Sequence, residues 1–91
     1  MTNLTDAQKE SRDFVEEALR AIPWAEFRAE MYVLELTGVL SPKLASEARY
    51  VMAVIVRKRL FWDEQLSPKD YVETARILEE IADAAFGQLD D

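Results

Sequence analysis

The chain reads as an all-α protein, a compact four-helix bundle. Three observations predict this. The five conformational punctuators in 91 residues, two Gly and three Pro, all stand where a helix would start or stop. Between them apolar residues recur three and four positions apart, the spacing of one helix face. Each of three predicted helix starts also carries a capping residue: Thr5, Ser41 and Ser67.

The first helix spans about 5–22. Thr5 with Gln8 forms a capping box, in which each residue satisfies the other's free backbone donor. Its apolar stripe is Ala7, Ser11, Phe14, Val15, Ala18 and Ile22, with Glu10, Asp13, Glu16, Glu17 and Arg20 outside it. Pro23 suits the first turn of a second helix, 23–37, because a missing N–H costs nothing there. Gly38 follows as a C-terminal cap. This helix carries Trp24, Phe27, Met31 and Leu34 on one side and Ala25, Ala29, Tyr32, Val33 and Leu36 on another.

Ser41-Pro42 opens a third helix, 42–62, with Leu44, Ala48, Val51, Ile55 and Trp62 on one side. Its reverse side holds Tyr50, Ala53, Val54, Leu60 and Phe61. Ser67-Pro68 opens the fourth, 68–86, ended by Gly87. The stripe there is Tyr71, Ala75, Leu78, Ala82, Ala85 and Phe86, opposite Glu73, Arg76, Glu80 and Asp83. A rival exists, since Tyr50 to Val56 is rich in strand formers and Glu26 to Val33 nearly alternates, which would suit a hairpin. The Ser-Pro cap and the Leu44/Ala48/Val51/Ile55 spacing favour helix.

With 49% hydrophobic residues and no linker, residues 1–91 form one domain around one core. The chain contains no His and no Cys. Zinc sites, disulfides, Cys or His nucleophiles and the usual general base are thereby excluded. The N-terminus lacks a signal peptide's basic flank and apolar run, and the longest apolar stretch, Val51–Val56, falls far short of the roughly 20 residues of a membrane span. The expected location is the cytoplasm.

Charge is segregated within a net of −7. Residues 1–40 carry −4, residues 41–62 carry +4 around Arg57-Lys58-Arg59, and residues 63–91 carry −7. An acidic outer layer neutralising a basic central helix accounts for this within one folded chain. The same basic helix is otherwise a patch for an acidic protein or a nucleic-acid backbone. Overall acidity disfavours nucleic acid.

Candidate chemistry is thin. Asp13/Glu17, Glu26/Glu30 and Glu79/Glu80 with Asp83 are carboxylates at helical spacing. Clustered carboxylates alone serve Mg²⁺-dependent all-α nucleotide pyrophosphatases, and Leu78 to Asp83 supplies one half of such an arrangement. The other half is broken, because Arg20 stands three residues after Glu17. Ser41 and Ser67 are accounted for as caps, and no glycine-rich phosphate loop exists. No catalytic, metal or cofactor residue is therefore assigned. A helix-turn-helix over residues 36–62, with Lys43, Ser46, Glu47 and Arg49 toward bases, is an alternative. Its turn is one residue longer than the familiar spacing.

What the pattern does predict is an interface. Helices 2 and 3 each have two apolar faces, and four helices of this length hardly bury both. The secondary faces are Tyr32, Val33 and Leu36 in helix 2, and Tyr50, Val54, Arg57 and Phe61 in helix 3. Aromatics and Arg are the residues that dominate protein–protein contacts. The expected function is non-catalytic protein binding: an acidic adaptor, an inhibitor or immunity-type factor, or a minor subunit. The partner carries a basic surface, or is a second copy forming a homodimer through helices 2 and 3.

Overall fold

A computed structural model describes residues 4–87. It is an all-α four-helix fold: α1 (Asp6–Ala21), α2 (Trp24–Leu36), α3 (Pro42–Tyr50) and α4 (Pro68–Phe86). Among the described residues there is no strand, so the hairpin alternative fails and both of its segments are helical. The radius of gyration is 13.6 Å, against about 12 Å for a sphere-like chain of this length, and the long axis measures 45 Å. No helix is long and apolar enough to cross a membrane among the described residues.

The local signals act as the chain chemistry requires. The Thr5 hydroxyl accepts from the Gln8 N–H and the Gln8 side chain accepts from the Thr5 N–H, closing the capping box. Ser41 and Ser67 each accept a backbone N–H three residues on, with Pro in the first turn. Gly38 sits at φ 79°, a left-handed conformation open to Gly, and lets the Leu34 carbonyl accept from the N–H groups of Val39 and Leu40. Two positions differ from expectation. Pro23 lies one residue before α2 and caps it without a side-chain hydrogen bond. Gly87 ends α4 in right-handed backbone.

The third helix departs most. α3 passes without a break into two π-helical segments, Val51–Ile55 and Arg57–Phe61, whose hydrogen bonds reach five residues back. In an α-helix seven residues complete about two turns, which would return Trp62 to the face of Ile55. Wider winding turns less per residue. Trp62 consequently leaves the core line and is 62% exposed, correcting its placement on the inner stripe. Asp63, at φ 50°, then breaks the helix.

The core is built by three rods. Val15 and Leu19 of α1 meet Tyr71, Ala75, Ile77 and Ile81 of α4, and Ala45, Ala48, Val51 and Ile55 complete the layer from the third helix. α4 is central, packing along α1 and against α3 with the first π segment. Leu40 and Leu66, from the connections, are buried in the same cluster. Ala7, Phe14 and Phe86, expected on inner stripes, are exposed, while Leu19 is buried. Helix 1 is thus rotated toward Val15 and Leu19. Thr74 is 1% exposed and its hydroxyl makes no hydrogen bond among the described residues, an arrangement that costs stability.

Helix α2 is different in kind. It packs against α3, yet Met31 is its only fully buried residue, with Trp24, Phe27 and Leu34 half-buried. The Trp24 ring meets Phe27 edge-on at 5.1 Å, and its indole N–H donates to the Leu19 carbonyl at 3.1 Å. That bond anchors the start of α2 to the end of α1.

Candidate functional site

With apolar residues on two sides yet attached along one, α2 leaves a groove of about 580 Å³ between itself and the third helix. From α2 the walls are Trp24, Ala25, Arg28, Met31, Tyr32 and Glu35. Facing them stand Ala45, Arg49, Met52, Ala53, Val56, Arg57 and Phe61. The positions follow from helical spacing: Trp24, Arg28 and Tyr32 are four apart, as are Arg49, Ala53, Arg57 and Phe61. The floor is apolar and carries two methionines, side chains whose flexibility suits variable occupants.

Charge within the groove is uneven. The Arg49 guanidinium donates to both Glu35 carboxylate oxygens, at 2.9 and 3.0 Å, tying α3 to the last turns of α2. Arg28 and Arg57 make no ion pair among the described residues. The rim of the groove is therefore cationic, although the chain as a whole is acidic.

The seven residues expected at an interface separate into three places. Tyr32, Arg57 and Phe61 come together in the groove. Tyr50 lines a second recess of about 390 Å³ between α3 and α4, with Ser46, Glu47 and Lys69 among its walls. Val33 and Leu36 are exposed on α2 and line neither, and Val54 is half-buried. Arg28 and Met52 were not singled out from the sequence. The signal was present as their four-residue spacing to Tyr32 and Val56, but pairing those stripes requires knowing how the helices pack.

A separate polar cluster joins three helices. The Glu16 carboxylate accepts from Arg59 Nε at 2.8 Å and from the Tyr71 hydroxyl at 2.6 Å. Arg59 also donates to Asp63 at 2.7 Å. Burial opposes ionisation of Glu16, but the bonds from Arg59 and Tyr71 outweigh it and hold the carboxyl below its usual range. Burial first, and then the bond to Glu16, pushes the Tyr71 hydroxyl up. The Glu16 and Asp63 carboxylates, which accept from the Arg59 guanidinium, hold it still more firmly protonated than usual. This cluster is an internal fastening: an acidic α1 neutralises part of the basic third helix, as the segregated charges suggested.

Among the remaining candidates Asp13, Glu47, Arg49 and Glu80 are drawn into similar pairs. Arg76 is shared among Glu47, Glu73 and Glu80. Of the four residues proposed to reach DNA bases, Glu47 is thus bound to Arg76 and Arg49 to Glu35. Among the described residues no three acidic side chains gather as a cation site. No family model matches the chain, and neither a curated protein nor a solved structure matches it.

Proposed function

We propose that the chain is a non-catalytic protein-binding module, an acidic adaptor, inhibitor or minor subunit working in the cytoplasm, and that it engages its partner through the groove between α2 and the third helix. One observation supports this reading above the others. Tyr32 and Phe61, 63% and 77% exposed, border an apolar groove on a helix that has almost no buried residue of its own. Exposed aromatics beside an apolar cleft gain roughly 25 cal/mol for each Å² of apolar surface that a partner covers. Enclosed polar chemistry, which a catalytic site needs, is not what lines the groove.

A photo-crosslinking amino acid placed at Phe61, with Asp83 on α4 as the control position, tests this in the native lysate. One discrete adduct from position 61, lost when Tyr32→Glu is added, is the expected result. Equal labelling from both positions would overturn the assignment. A product of twice the chain mass would identify a second copy as the occupant and make the module a homodimer.

A further inference from the structure

Resting on that reading, we infer that the groove takes an acidic amphipathic helix from a separate protein, its apolar face on Met31, Met52 and Phe61 and its carboxylates against Arg28 and Arg57. Three observations carry the inference.

The first is shape. The α2 wall runs from Trp24 to Glu35, about 16 Å along the axis at 1.5 Å per residue, and the opposite wall is at least as long. A trough of that length between two helical walls accepts a third helix of about three turns. Small ligands are held instead in closed cavities that cover most of their surface.

The second is charge. Arg28 and Arg57 are the groove's unpaired charges among the described residues, since Glu35 is already held by Arg49. Two uncompensated guanidiniums beside apolar floor favour carboxylates flanking an apolar stripe. A basic partner surface, the expectation from net charge alone, would meet like charge here.

The third concerns self-association. The chain's own acidic amphipathic helices, α1 and α4, already commit their apolar faces to the core through Val15, Leu19, Tyr71, Ala75, Ile77 and Ile81. A second copy could offer them to the groove only by unfolding, which leaves a different protein as the source.

The test uses a display library of 14-residue helical peptides. Leu is fixed at positions i, i+3 or i+4, and i+7, and the flanking positions are randomised among Glu, Gln and Lys. Selection is run on the immobilised full chain. The expected result is enrichment of Glu at the flanks, with affinity of a selected peptide falling about threefold to tenfold in the double variant Arg28→Gln/Arg57→Gln. Both substitutions remove exposed side chains without ion pairs among the described residues, and far-UV circular dichroism checks that the variant is folded. Charge reversal in Arg57→Glu should shift the selected flanks from Glu toward Lys.

Peptides that bind and are displaced by Phe61→Glu, but show no preference for Glu, would overturn the acidic partner and leave the groove as a protein-binding site. Peptides unaffected by Phe61→Glu, or none at all beside crosslinks absent from position 61, would overturn the groove itself. A concentration-dependent dimer in sedimentation, dispersed by Phe61→Glu and blind to every peptide, would assign the groove to a second copy.

Discussion

At the scale of single residues, Glu16 does the most that its sequence position conceals. It lies outside the apolar stripe of α1, among other acidic residues, and reads as solvated. Its partners Arg59 and Tyr71 stand 43 and 55 residues away, so no local pattern could announce them. The consequence is a pH dependence with a definite sign. Because the folded carboxyl titrates below its ordinary value of 4.5, its contribution is complete above that pH and is lost as pH falls through the lower, folded value. Glu16→Gln should cost roughly 1–2 kcal/mol at neutral pH, and the gap to the parent chain should close below about pH 4.5. Urea midpoints measured between pH 7 and 3 check this. A gap that stays constant across the range would show that the carboxylate's charge contributes nothing.

At the scale of elements, what was legible was what is local. Caps, prolines and Gly38 act within four residues of themselves, and the helix boundaries they mark agree with the structure to within a residue or two. Ser41→Ala and Ser67→Ala should each lower stability by about 1 kcal/mol, read from thermal or urea unfolding, since each leaves a backbone N–H unmet. If neither substitution moves the transition, the hydroxyls are not what starts these helices. Winding was illegible. Nothing in Val51 to Phe61 distinguishes α from π hydrogen bonding by residue type. The face a residue presents depends on that winding, so Trp62 moved from expected core to solvent. For the same reason the interface residues divided: Tyr50 and Phe61, both on the expected outer face of helix 3, open onto different recesses.

At the scale of the whole molecule, stability is unevenly distributed. α1, α4 and the third helix share a contiguous core, whereas α2 contributes Met31 and three half-buried apolar side chains. Opening α2 alone therefore exposes far less apolar surface than unfolding the chain. Amide hydrogen exchange should show α2 exchanging through local opening, well before α1 and α4, and a bound partner should slow α2 selectively. Uniform protection across the four helices would mean that α2 is held more firmly than its burial indicates. The groove was legible only in part for a related reason. The surplus of apolar faces on helices 2 and 3 is written in their composition, but which faces meet is settled by packing.

The widely wound stretch from Val51 to Phe61 also bears on how this chain can change length over generations. Loss of one codon inside an ordinary α-helix swings everything downstream by about 100° and scrambles the faces it presents. A π-wound stretch holds surplus residues for the rotation it completes, so removing one lets the remainder tighten to α-winding while the following residues keep their heading. A single-residue deletion there should disturb the fold less than one inside α1 or α4, and the stretch lies along a wall of the groove. Such a deletion would slide Arg57 and Phe61 relative to α2, altering which partner fits without unfolding the domain that presents them.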